Sequence, residues 1–176
     1  MRQVNAIACA QAVTEDENGA PRAIVGCIDS RVPPELVFDQ RLGSVFAARI
    51  AGNFVNTDII GSLEFATRLA GAKLVLVLGH SECGAIKGAI DQAQLGNLTA
   101  TLSNIWPAVE ATTGIPGERT SKNKAFVQAV AETNARLAAR MLLERSPTMA
   151  GMVDAGELKV AAAMHDIATG RVSLLA

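Results

Sequence analysis

Leu74-Val75-Leu76-Val77-Leu78 is an uninterrupted apolar run, and it constrains the fold more than any other segment. A strand with one wetted face alternates polar and apolar side chains, whereas a continuous run needs cover on both faces. It therefore predicts the central strand of a parallel sheet with helices above and below. Ala23-Ile24-Val25-Gly26-Cys27-Ile28, bounded by Pro21 and Pro33-Pro34, reads as a second such strand, and Val45 to Ile50 as a third. Thr57 to Ala70 has apolar residues at helical spacing and Gly71 where a helix C′ glycine belongs. Cys83 to Leu95 predicts the helix after the central strand. Ser121 to Arg145 predicts a long amphipathic helix with Phe126, Val130, Leu137 and Met141 inward. Leu95 to Thr120, with Pro107, Pro116 and three glycines, reads as the loosest stretch and a poor place for chemistry.

The tail, Leu158 to Met164 and on through His165 to Val172, predicts a strand and then a hairpin turn about Thr169-Gly170. This order of elements makes an α/β three-layer α-β-α domain, with a mostly parallel central sheet and an antiparallel edge strand or hairpin at the C-terminus. With 176 residues, 49% of them hydrophobic, a single domain over 1–176 is expected, residues 1–20 being a short N-terminal segment.

A net charge of -1 gives no electrostatic footprint for nucleic acid or an acidic membrane surface. Only 3% aromatic residues, and no Tyr, leave no stacking platform for bases. A small neutral or anionic substrate fits better. Three cysteines, an odd number, read as reduced thiols in a reducing, cytoplasmic setting rather than a disulfide framework. No apolar run approaches the ~18 residues of a membrane span. Ala6-Ile7-Ala8-Cys9 faintly mimics a lipoprotein cleavage site, but the apolar stretch before it is too short, and Cys9 reads as an ordinary residue.

The chemistry gathers at two strand ends: Cys27-Ile28-Asp29-Ser30-Arg31 and His80-Ser81-Glu82-Cys83. Cys27 and Asp29 lie two apart on an extended chain and leave the same face. His80 ends the central run, and Cys83 follows where the chain turns into a helix whose positive end favours thiolate. Two thiolates and a neutral imidazole suit zinc and leave a fourth coordination position. Asp29 has two plausible places: it is the fourth ligand, or it pairs with Arg31 and accepts a hydrogen bond from zinc hydroxide. Only the second leaves the metal open. A bidentate guanidinium-carboxylate pair is directional enough to hold Asp29 away. Two thiolates neutralise the ion and should acidify its water less than neutral ligands do, so activity should rise with pH over the mildly alkaline range.

These residues resemble the β-class carbonic anhydrases. The likeness runs from about Ala23 to Gly88, through Cys27, Asp29, Ser30, Arg31 and Phe46. It continues in Arg49-Ile50-Ala51-Gly52-Asn53, Ser62-Leu63-Glu64-Phe65-Ala66, and Gly79-His80 with Cys83-Gly84-Ala85, then weakly in Met164 to Val172. It implies Cys27, His80 and Cys83 as ligands of one Zn2+ per subunit, Asp29 and Arg31 as the catalytic pair gating the fourth site, and Asp29 as a ligand in the closed state. The implied reaction is reversible hydration of carbon dioxide to bicarbonate and a proton, by zinc-hydroxide attack. Phe46, Ala51 and Gly84 are the implied substrate-pocket residues, and a homodimer or dimer-based tetramer the implied assembly. Carbon disulfide or carbonyl sulfide hydrolysis on the same site, and a non-catalytic zinc-stabilised binding domain, are the alternatives.

Three departures stand beside the resemblance. Asn18-Gly19-Ala20-Pro21 lacks the Gln that many members carry there. Of the Trp, Arg and Tyr of bicarbonate-regulated members, Ile24, Arg49 and His165 keep only the Arg, so no such allosteric pocket is expected. The stretch before the first strand is short, which implies a reduced dimerisation arm. His165 has the chemistry of a proton shuttle, but nothing in the sequence brings it to Cys27, and it reads as a hairpin side chain.

Overall fold

A computed structural model describes residues 21–175; the N-terminal segment 1–20, with Cys9 and Gly19, lies outside the described residues. Five strands form one sheet: β1 (Arg22–Gly26), β2 (Val45–Arg49), β3 (Leu74–His80), β4 (Lys159–His165) and β5 (Val172–Leu175), in the order β2-β1-β3-β4-β5. The first four run parallel and β5 returns antiparallel to β4. The expected three-layer architecture is therefore present, with the apolar run at its centre. All seven residues of β3 are buried. Leu74, Leu76 and Leu78 enter the core on one face, and Val75 and Val77 enter it on the other. That division is why the run does not alternate: each face has its own helical cover.

Among the described residues, seven α-helices supply that cover: α1 (Pro34–Val37), α2 (Thr57–Glu64), α3 (Gly84–Ile90), α4 (Gly96–Ser103), α5 (Trp106–Ala111), α6 (Lys124–Arg145) and α7 (Pro147–Asp154). Helix α2 starts at Asn56, whose side chain accepts from the Ile59 N–H. It runs on as a π-helical turn over Phe65–Leu69 and stops at Gly71, φ +79°. Within that region Thr67 Oγ1 donates back to the Leu63 carbonyl at 2.8 Å.

Three expectations need correction. Leu95 to Thr120 is not loose, since α4 and α5 occupy it and bury Leu102, Ile105, Ala108 and Val109. The helix predicted from Cys83 to Leu95 ends at Ile90, where Gln92 takes a left-handed φ of +53°. In α6, Phe126 and Val130 are buried as expected, but Leu137 and Met141 are only half-buried, and Ala131, Asn134, Ala135 and Ala138 take the inward face. Small side chains there let the helix axis approach β3. A methyl group on Gly79 would lie 3.4 Å from Ala135 Cβ and 3.5 Å from the Ala131 carbonyl. Enlarging that face should therefore strain the core: Ala135→Leu is expected to cost about 1–3 kcal/mol, read as a lower midpoint in urea denaturation.

Candidate metal centre

Parallel strands end at a common edge, and here the register carries Cys27 and His80 to it. Gly26 pairs with Leu78, so Cys27 leaves β1 beside the last turn of chain in β3, where His80 is the final residue. Glu82 then adopts φ +57°, a left-handed conformation that reverses the chain within Ser81-Glu82. The reversal brings Cys83, at the N-cap of α3, back over His80. The Ser81 N–H donates to the His165 carbonyl at 2.9 Å, and Ser81 Oγ accepts from the Ile167 N–H at 3.0 Å, tying this turn to β4 and the hairpin.

The result is one compact donor set. The ligating atoms of Cys27, His80 and Cys83 lie within 4.8 Å of one another, and all three residues are buried. The two sulfurs are 3.9 Å apart. His80 Nδ1 contacts the Ser81 carbonyl at 2.9 Å, which assigns the proton to Nδ1 and leaves the lone pair on Nε2. Nε2 is buried without a hydrogen-bond partner among the described residues. A buried polar atom without a partner is unfavourable in a dry interior, and a metal ion beside the two sulfurs removes that penalty. Soft sulfur and imidazole nitrogen are the donors zinc takes, so the residues present fit it.

The acidity of the pair points the same way. The neighbouring Cys83 thiol pushes the Cys27 thiol down to about 4, against burial and with help from His80 and the Gly52 N–H. Cys83 itself is pushed up, by the Cys27 sulfur and by burial. The amides of Ala85 and Ile86 do favour its anion, but a second negative charge beside the first outweighs them. The two sulfurs share a proton that a dication would displace.

Asp29 is not part of this set and is paired instead with Arg31. Its Oδ1 accepts from Arg31 N at 3.0 Å and Nε at 2.9 Å, and its Oδ2 accepts from Arg31 Nη2 at 2.7 Å. The expected bidentate pair is therefore formed, and it holds the Asp29 carboxyl well below the usual carboxylate range. Arg49, named in the sequence only as a motif residue, clamps this loop from β2. It donates through Nε to the Cys27 carbonyl at 2.8 Å and through Nη2 to the Asp29 carbonyl at 2.6 Å.

A cavity of about 250 Å³ opens beside Cys27 and Asp29, walled by Ala51, Gly84, Ala85, Leu98 and Leu102 among others. Ala51 and Gly84 both line this cavity. Leu98 and Leu102 come from α4, in the stretch set aside as chemically uninformative; only their apolar i, i+4 spacing could have flagged them. Phe46 is not brought to this cavity. It pairs with Ala23 at the opposite end of β2 from Arg49, and lines a groove of about 740 Å³ shared with α2. That groove is larger than the cavity but lies away from the thiolates. His165 ends β4, paired with Val172 across the β4-β5 hairpin and in register with His80 on its other side, and it is buried, with Nδ1 lacking a hydrogen-bond partner among the described residues. Desolvation pushes its pKa down, and nearby His80 adds to the effect.

Comparison with known proteins agrees with this geometry. Residues 22–172 match the family model described as carbonic anhydrase. A carbonic anhydrase of Mycolicibacterium smegmatis is 34% identical over 160 residues, 88% of this chain and 74% of that protein. One of Pseudomonas aeruginosa is 30% identical over 163 residues, 89% of this chain and 74% of that protein. Among solved structures, a tetrameric β-carbonic anhydrase of Sordaria macrospora superposes with a TM-score of 0.75 at 26% identity, covering 89% of this chain and 81% of its own.

The Arg31 pairing makes a direct expectation for titration. Because Asp29 is depressed in the folded state, any stability from the pair is complete at neutral pH. It is lost only as pH falls below the ordinary aspartate range towards the folded value. Carbon-detected NMR should find the Asp29 carboxyl still ionised where exposed aspartates have protonated, and Arg31→Gln should return it to their range.

Proposed function

This chain belongs to the β-class carbonic anhydrase family, and on that footing we propose that it holds one zinc ion per subunit on Cys27, His80 and Cys83 and uses it to hydrate carbon dioxide reversibly to bicarbonate. The observation that carries the reading is the buried, unpartnered His80 Nε2 set against two buried sulfurs. Bound zinc would supply Lewis acidity, which would make a hydroxide nucleophile available at mildly alkaline pH, the two thiolates tempering the acidification.

The chain's own residues do the rest. Cys27 and Cys83 balance the dication, and the Ser81 carbonyl keeps His80 in the tautomer that can ligate. Arg31 keeps Asp29 ionised and turned from the donor set, so that position stays open and the carboxylate keeps lone pairs to orient the attacking oxygen. In this arrangement Asp29 is a catalytic residue and Arg31 the group that gates it. Ala51, Gly84, Leu98 and Leu102 form an apolar wall that admits an uncharged triatomic substrate and offers water few hydrogen bonds. The proton leaves to solvent or buffer. Two thiols kept as ligands need a reducing compartment, which favours a cytoplasmic setting; no helix among the described residues is long and apolar enough to cross a membrane.

For assembly, a homodimer or dimer-based tetramer is supported by β2, which among the described residues ends the sheet with an unpaired edge. Beside it lies the groove lined by Phe46, Ile59 and Phe65, with Phe65 57% exposed. An uncovered edge next to exposed aromatic surface is a template for a second copy.

Stopped-flow hydration should show a zinc-dependent rate that rises over the mildly alkaline range and vanishes with chelator. Cys27→Ser and His80→Ala should lose metal and activity together, whereas Asp29→Asn should retain zinc and slow turnover about 10²-fold or more. Zinc-replete protein with no rate above buffer would refute the activity. In sedimentation velocity, Phe65→Glu should shift the assembly towards monomer.

A further inference from the structure

We propose that Asn134 is a positioning residue for the metal centre: through the Gly52 peptide it keeps a backbone N–H aimed at the Cys27 sulfur and so sets how strongly that thiolate donates to a bound metal. The proposal rests on the reading of Cys27 as a metal ligand.

Asn134 lies in the middle of α6, 4% exposed, between Val130 and Ala138 on the helix's inward face. An amide in that position neither caps a helix nor reaches solvent, and burying it is unfavourable unless it is hydrogen-bonded. Its Nδ2 donates to the Gly52 carbonyl at 2.7 Å, linking α6 to a turn 82 residues earlier in the chain.

That turn is tightly held. The Asn53 N–H donates to the Ile50 carbonyl at 3.0 Å, and Gly52 has φ +81°, the left-handed value a type II turn needs at its third residue. A methyl on Gly52 would sit 2.4 Å from Ile105 Cδ1 and 3.3 Å from Ala85 Cβ. The Cα is thus wedged between α3 and the start of α5, and only rotation about its two backbone bonds is left to it. On one side of that Cα, the Gly52 N–H donates to Cys27 Sγ at 3.3 Å. On the other, the carbonyl accepts from Asn134.

The Asn134 bond therefore restrains the residue that orients the N–H. An N–H aimed at a thiolate draws density from sulfur and weakens its donation to a cation. Without the Asn134 donor the carbonyl is left buried and unpaired, and the turn relieves it by rotating at Gly52, which swings the N–H off the sulfur. Asn134 itself touches neither metal nor substrate.

Cobalt-substituted protein tests this, because sulfur-to-cobalt charge transfer reports thiolate donation directly. Asn134→Leu keeps the branched shape and loses the donor. It is expected to retain the wild-type circular dichroism, move the charge-transfer band to longer wavelength, and change zinc affinity by about 10-fold in chelator competition. A folded Asn134→Leu protein with the wild-type band and affinity would overturn the proposal while leaving the metal centre standing. No thiolate band in wild type would overturn the metal centre and the proposal together. A second measurement needs no substitution: in wild type loaded with NMR-active cadmium, the Gly52 amide proton should correlate with the metal through the Cys27 sulfur. A missing correlation would overturn the proposal even if Asn134→Leu failed to fold.

Discussion

The parallel pairing of β3 with β1 on one side and β4 on the other is the interaction on which the rest of the molecule depends. Parallel strands deliver their carboxyl ends to one edge of the sheet, so a single register places Cys27 and His80 together and sets His165 beside His80. A slip of one residue would turn every side chain of β3 to the other face. Burial fixes the register even though both faces are apolar: leucines pack against one helical layer and valines against the other, and the volumes differ.

At that edge, hydrogen bonds satisfy most polar groups, while His80 Nε2 and its neighbour His165 Nδ1 find no partner among the described residues. Arg49 takes the carbonyls of Cys27 and Asp29, Arg31 takes the Asp29 carboxylate, and the Ser81 carbonyl takes His80 Nδ1. What remains is an imidazole nitrogen and two sulfurs, too close to ionise independently. A cation resolves both problems at once. The same arrangement keeps the adjoining cavity apolar apart from Asp29, which suits an uncharged substrate that must meet a nucleophile in a partly dry space.

Much of this was legible in the sequence, and for local reasons. Cys27 with Asp29, Asp29 with Arg31, and His80 with Cys83 are each separated by two or three residues, so backbone geometry alone nearly decides whether they meet. The aliphatic runs announced strands covered on both faces. Longer-range relations were not legible. Leu98 and Leu102 reach the cavity only because α4 folds back over α3. His165 reaches His80 only through the β3-β4 register, and Asn134 reaches Gly52 only because the alanines around it let α6 approach the sheet. That Cys27 and Cys83 cannot ionise independently likewise depends on the distance between two sulfurs 56 residues apart.

By itself, then, the sequence determined the layer architecture, the candidate metal-donor residues and the Asp29-Arg31 pair, because periodicity and short spacings are properties of the backbone. Only the tertiary structure decided how close the two sulfurs lie, what walls the cavity, and that Phe46 lines a separate groove. Those outcomes turn on packing and electrostatics between segments distant in the chain, where changes of an ångström reverse the sign of the result.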